Sequence, residues 1–187
     1  MRVIAGELRG RLLLAPRSSA TRPITDRVKQ SLFDILRPYA DQPVYDCFAG
    51  TGSLGIEALS RGAPSAVFFE QDGSALELLK KNLATLGLAS RCRIEAGDIF
   101  SRLASLSPPL LPQRPGIAFL DPPYRFLADR PGELAALAGS LGEHVAADGL
   151  IVFRHDADHA LPLPGWQSAE VRDYGSMRLE LLARSPK

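Results

Sequence analysis

Val44-Tyr45-Asp46-Cys47-Phe48-Ala49-Gly50-Thr51-Gly52-Ser53-Leu54-Gly55 joins a strand-like apolar run to a glycine-rich turn and a helix start. Val44 to Phe48 has the near-continuous apolar character of a strand buried on both faces. The pattern Gly50-x-Gly52-x-x-Gly55 then lets the backbone turn tightly and approach a ligand. Outward from this stretch the same alternation recurs. Strands are predicted at 66–70, 92–95, 117–120 and 149–153, and helices at about 53–60, 73–86, 99–106 and 133–145. Leu76, Leu79, Leu83 and Leu86 share one face of the second helix, and Gly87 stops it. Such alternation predicts an α/β fold, a mostly parallel sheet with helices on both faces. Runs at 166–171 and 177–183 predict a closing hairpin across Asp173-Tyr174-Gly175. Trp166 is expected in the core or as cover for that hairpin.

At 187 residues, 45% hydrophobic and 23% charged, the chain has the composition of one globular domain. No run is long enough to cross a bilayer. Arg2, Glu7, Arg9 and Arg11 interrupt any signal-peptide core. Two cysteines, Cys47 and Cys92, are too few for a disulfide framework. A reducing cytoplasm is the expected setting, with no membrane partner and a monomeric chain.

The net charge of +1 is unevenly spread. Residues 1–40 carry eight basic groups, among them Arg2, Arg9, Arg11, Arg22, Arg27 and Lys29, against three acidic ones, a net of +5. This basic extension precedes a mildly acidic body, residues 41–187, and implies a polyanionic partner. Arg2 to Ala5 and Arg11 to Leu14 read as a hairpin punctuated by Gly6 and Gly10. Thr25 is predicted to N-cap a helix with Val28, Leu32, Ile35 and Leu36 on one face, ended by Pro38. Arg22, Thr25 and Arg27 then gather cations and backbone donors at a helix start, where a carboxylate or phosphate is favoured.

The glycine pattern alone would permit a dinucleotide. Three acids point elsewhere. Asp46 lies four residues before the first glycine, Glu70 ends the second strand, and Asp98 follows the third. Asp46 would set a negative charge beside a pyrophosphate. The three suit one elongated ligand rich in donors. Asp46 would take an ammonium group directly or through water, Glu70 two ribose hydroxyls, and Asp98 an adenine amine. S-adenosyl-L-methionine carries all of these and a sulfonium cation.

Asp121-Pro122-Pro123-Tyr124 follows the apolar run Ile117-Ala118-Phe119-Leu120. A carboxylate there sits at the edge where open α/β sheets bind ligands. Two prolines stiffen the backbone and remove two donors, so carbonyls face outward as acceptors. Tyr124 adds a flat ring on which a base can stack. An exocyclic base amine is a poor nucleophile because its lone pair is delocalised. Acceptors for its protons favour the more electron-rich, pyramidal nitrogen of a transition state. Asp121, Pro122 and Tyr124 are therefore the candidate catalytic groups. Short motifs of this kind recur by chance, and a plain strand end with a proline turn is the bland alternative.

Together these stretches resemble a known family. Residues 46–55 are similar to the cofactor loop of class I methyltransferases. Arg22-Pro23-Ile24-Thr25-Asp26-Arg27-Val28-Lys29 resembles the RsmD family, as do Arg2-Val3-Ile4-Ala5-Gly6 and Arg9-Gly10-Arg11. The similarity covers most of residues 2–125 and returns weakly in the closing hairpin. It implies a seven-stranded sheet of order 3-2-1-4-5-7-6. It also implies methylation of guanine 966 at N2 in 16S ribosomal RNA, within the small subunit or an assembly intermediate. It extends the cofactor set to Thr25, Phe48, Gly50, Thr51, Gly52, Gly55, Gln71, Ile99 and Asp121 beside Asp46, Glu70 and Asp98. It implies RNA contacts at Arg2, Arg9, Arg11, Arg22 and Arg27, and no metal. Arg154 and His155 have no counterpart role in it.

Rival readings stay open. An adenine-N6 methyltransferase acting on DNA or RNA would use the same Asp121 turn. An NAD-dependent oxidoreductase fits the glycines but leaves Asp46 and the prolines unexplained. A cofactor-binding assembly factor without catalysis is a third. His155 and His159 with Asp156 and Asp158 invite a metal, but a solvated loop is expected because no further ligand has suitable spacing. Cys47 is read as packing rather than nucleophile.

Overall fold

In the computed structural model, which describes residues 1–16, 24–108 and 110–186, seven strands form one sheet of order β3-β2-β1-β4-β5-β7-β6. The strands are β1 (Val44–Asp46), β2 (Ala66–Glu70), β3 (Cys92–Ala96), β4 (Ile117–Leu120), β5 (Leu150–Asp156), β6 (Trp166–Tyr174) and β7 (Met177–Arg184). The first five run parallel, whereas β7 is antiparallel to both β5 and β6. Strand order reverses between β1 and β4, which makes a crevice at their carboxyl ends.

The helices are α1 (Asp26–Ile35), α2 (Ser53–Arg61), α3 (Gly73–Thr85), α4 (Ile99–Ser105), α5 (Arg125–Asp129) and α6 (Pro131–His144). Strand side chains alternate between two cores. Phe68 and Phe119 point to the layer holding Leu32, Leu59, Leu79 and Leu83. Phe69 and Leu120 point to the layer holding Leu103, Leu134, Leu137 and Leu141. Apolar side chains on both faces stabilise the central strands by roughly 25 cal/mol per Å² removed from water. At the sheet edge, β6 is mostly exposed and carries Glu170, Arg172 and Asp173 along its length, charges that deter further pairing.

Thr25 does cap α1, its hydroxyl accepting from the Val28 amide at 3.3 Å. Four expectations need correction. The N-terminal hairpin reduces to one antiparallel bridge, Arg2 to Leu12, around a run of turns. Helix α5 went unpredicted: five residues are too few for helical periodicity to show, and Phe126 and Leu127 anchor it by burial. His155 lies inside β5 and is fully buried, not in a loop. Its ring stacks on Phe153 at 4.5 Å, and its nitrogens meet the Asp156 carbonyl and the Glu180 carboxylate. His159 is exposed. The closing turn also falls later, because β6 runs through Tyr174.

The N-terminal segment packs on α2 through backbone groups. The Ile4 and Ala5 amides donate to the two carboxylate oxygens of Glu57. The Glu7 amide donates to the Ser60 carbonyl at 2.8 Å. Gly6 has φ of +80°, and a Cβ there would lie 1.8 Å from the Ser60 carbonyl oxygen. Backbone on both sides leaves no room to yield. Gly6→Ala is expected to cost more than about 2 kcal/mol in urea unfolding. A loss near zero would mean that this contact does not form.

Candidate functional site

The turn after β1 is a frame of backbone donors around acidic acceptors. Gly50 has φ of +55° and Gly52 φ of +90°, conformations that glycine adopts without strain. Gly52 is the residue before α2, so the free amides of that helix open into the turn. Gly55 is small for packing: a Cβ there would stand 2.3 Å from the Phe68 ring. Its amide donates to Asp46 Oδ2 at 2.9 Å.

Asp46 is 1% exposed. Burial pushes its carboxyl up to about 7; the Gly55 hydrogen bond opposes this, and the nearby charges of Asp121 and Glu70 add to it. Three of the predicted acids thus feel one another at the carboxyl ends of β1, β2 and β4. The register explains it: Asp46 pairs with Phe119, two residues before Asp121, and with Phe68, two before Glu70.

Glu70 holds the loop together. Its Oε2 accepts from the Gly50 amide at 2.7 Å, and Oε1 accepts from the Gln71 and Asp72 amides, both at 2.8 Å. Gln71 itself is exposed. Thr51 is buried, and its carbonyl accepts from Asn82 Nδ2 at 3.0 Å. Asn82 also exchanges hydrogen bonds with Leu14, so the N-terminal segment is tied to the glycine turn. Asn82 was not singled out in the sequence because nothing marks a helix Asn as buried.

Asp98 caps α4 through the Phe100 amide at 3.1 Å and pairs with Arg130 at 2.9 Å. Ile99, the next residue, is buried. Arg130 lies over the Phe100 ring at 4.1 Å and the Phe126 ring at 5.2 Å, and also pairs with Glu133. Phe48 completes an edge-to-face cluster with Phe100 and Phe126. Arg130 too was missed; only the fold brings residue 130 to residue 98.

Beyond β4, Asp121 is followed by a buried Pro122 and by Tyr124, which already has helical dihedral angles and leads into α5. The proline segment is therefore only three residues long before the chain turns helical. Asp121 Oδ1 accepts from Arg154 Nε at 2.5 Å. Burial raises the Asp121 carboxyl, and the Arg154 charge and hydrogen bond act against that rise. The Arg154 guanidinium also lies 5.9 Å from the Tyr124 ring centroid.

These residues gather at one edge of the sheet and present a row of carboxylate acceptors. It fits a ligand bearing ammonium, hydroxyl and amine donors and fits a pyrophosphate poorly. Cys47 faces the core, and burial lifts its thiol well above its ordinary range, so packing is its role. Burial likewise pushes Cys92 to about 12.

Of the predicted cations, Arg2, Arg9, Arg11 and Arg27 are exposed, Arg2 pairing with Asp26 at 2.8 Å. Arg22 lies outside the described residues. Lys29, counted in the basic extension, is 1% exposed and 3.4 Å from Glu57. It therefore contributes no surface charge. Its Nζ also donates to Ser53 at 3.3 Å, which places α1 against the start of α2.

A family profile described as Conserved hypothetical protein 95 matches residues 1–183. The chain belongs to this family. Relatives of the Conserved hypothetical protein 95 family align over most of the chain. YlbH of Bacillus subtilis is 41% identical over 87% of this chain and 86% of its own length. Ribosomal RNA small subunit methyltransferase D of Escherichia coli is 44% identical over 67% of this chain, an aligned stretch spanning 61% of that relative. The solved structure of yhhF from E. coli superposes with a TM-score of 0.82 at 34% identity, covering 100% of this chain and 99% of that one. The class I methyltransferase architecture of the family is thus the architecture of this chain.

Proposed function

We propose that this protein transfers a methyl group from S-adenosyl-L-methionine to the N2 amine of a guanine, guanine 966, in 16S ribosomal RNA. The observation that carries the reading is the Asp121 turn standing beside Asp46 where strand order reverses. The likeness to ribosomal RNA small subunit methyltransferase D supports ribosomal RNA as the substrate class. Guanine itself follows from the family resemblance. Residues 41–187 form the transferase unit, and residues 1–40 its basic extension.

S-adenosyl-L-methionine supplies, when bound, a sulfonium whose methyl carbon is the electrophile. Asp46, with the Gly50–Gly55 turn, receives the ammonium end. Glu70 receives the ribose, and Asp98 with Ile99 the adenine. The target base leaves its stack at a cost of a few kcal/mol and rests on Tyr124. Asp121 and the Pro122 carbonyl hold the two amine protons and aim the nitrogen lone pair at the methyl carbon. Transfer would exchange the sulfur–carbon bond for a nitrogen–carbon bond, the electron pair of the broken bond staying on sulfur. One proton leaves nitrogen, to Asp121 or to water. Alignment and fixed acceptors supply the acceleration, with no covalent enzyme intermediate.

The reading makes cofactor affinity depend on Asp46. Burial favours its neutral form, so its contribution to stability is complete below about 3.8 and lost as pH rises through about 7. A ligand ammonium favours the ionised form instead. Affinity should therefore rise between pH 5 and 7, by up to about tenfold per pH unit, below the range where an α-amino group titrates. Calorimetric titration with S-adenosylmethionine reads it. A flat profile, or the same slope in Asp46→Asn, refutes this role.

Reversing charge at Arg9 and Arg11 should weaken binding to small subunits and flatten its salt dependence, leaving cofactor affinity unchanged. Unchanged subunit affinity counts against the extension as an RNA contact. The whole reading is tested by tritiated methyl transfer to small subunits lacking the modification, followed by mapping of the labelled nucleotide. Label on duplex DNA or on an adenine would favour the adenine-N6 alternative; no label at all would overturn catalysis.

A further inference from the structure

Asp121 is not alone at the point where the amine would sit. Leu120 pairs with Phe153 in the parallel β4–β5 register, so the next residues along, Asp121 and Arg154, face each other. Arg154 is 5% exposed, and its Nε donates to Asp121 Oδ1. Its Nη1 lies 3.5 Å from Met177 Sδ on β7, and its guanidinium lies over the Tyr124 ring. It is thus packed from three directions, by β4, β7 and the proline turn. Among the described residues, the charged groups facing Asp121 are Arg154 from β5 and Asp46 from β1. Tyr124 belongs to the same turn.

We infer that Arg154 is a positioning residue for methyl transfer: it fixes the Asp121 carboxylate and occupies one of its oxygens, leaving the other for the target amine. This rests on the functional reading above. Burial favours the protonated carboxyl, which would offer a donor where an acceptor is needed. The guanidinium opposes this. It also cancels most of the charge that Asp121 would otherwise set against a sulfonium. The site then presents a nearly neutral acceptor, whose hydrogen bonds strengthen as positive charge grows on the amine nitrogen. Arg154 touches neither reacting atom. It acts through Asp121.

The test uses Arg154→Met, Arg154→Lys, Asp121→Asn and the Asp121→Asn/Arg154→Met pair in the full chain. In Arg154→Met, the acidic limb of the kcat profile on small subunits should move up by at least about one pH unit, with cofactor affinity kept. Arg154→Lys should restore the limb. In the Asp121→Asn background, Arg154→Met should cause no movement of the limb. A readout without RNA is the carboxylate stretch of Asp121, from infrared difference spectra against Asp121→Asn. Its titration should move up in Arg154→Met and return in Arg154→Lys. Activity lost equally at every pH, with the infrared titration unmoved, would make Arg154 merely structural and overturn the inference. A wild-type chain that transfers no methyl group would overturn the functional reading first and this assignment with it.

Discussion

Asp121→Ala is expected to lower turnover on small subunits by at least about 10³-fold while cofactor affinity stays largely intact. The acceptor is lost at the one position where amine protons would be held, whereas Asp46, Glu70 and Asp98 are untouched. The structure adds a second consequence. Arg154 is 5% exposed and donates to Asp121 at 2.5 Å, so the alanine variant leaves a buried guanidinium without that carboxylate. Such a break costs about 3–5 kcal/mol. Thermal unfolding and turnover must therefore be read together, at a temperature where the variant is folded. Asp121→Asn keeps an acceptor oxygen and should lose less of both. Equal losses of turnover and cofactor affinity would contradict the assigned role.

Glu57→Ala should be the most destabilising single change outside the site, at about 3–5 kcal/mol in urea unfolding. Glu57 is fully buried on α2, where it receives the Ile4 amide at 2.8 Å, the Ala5 amide at 3.0 Å and Arg61 Nε at 2.7 Å. Lys29, 1% exposed, faces it at 3.4 Å. Removing the carboxylate leaves two backbone donors unmatched and strips the buried ammonium of its counter-charge. Hydrogen exchange at residues 4 and 5 should accelerate, because the N-terminal segment loses its attachment to α2. Glu57→Gln keeps an acceptor and should lose less. A loss under about 1 kcal/mol would show that solvent replaces the carboxylate and that the pair is not buried in solution.

The fold was legible where local physics and tertiary need agree. Residues 66–69 are apolar throughout because the strand is covered on both faces, and the strand read at 66–70 has the bounds of β2. Thr25 capped its helix because a threonine hydroxyl can reach an amide three residues on without any tertiary partner. Helix α5 was illegible because its five residues are held by burial of Phe126 and Leu127, not by propensity. His155 looked like loop because a polar residue after an apolar run commonly marks a strand end. In the folded chain β5 continues beside β7, and Glu180 satisfies the ring.

By itself, the sequence determined which groups end the strands, since the apolar run and the acid that follows are neighbours in the chain. Asp46, Glu70 and Asp121 are local signals of that kind, whereas Asp98 follows a half-polar strand and Gly97. Only the tertiary structure decided what each acid faces. Gly55, Gly50, Arg130 and Arg154 reach them across 9, 20, 32 and 33 residues. The charge state of a buried carboxylate depends on its desolvation and its partners, and both come from packing. The same holds for Lys29, which counted as surface charge in the sequence and became a buried partner of Glu57 in the fold.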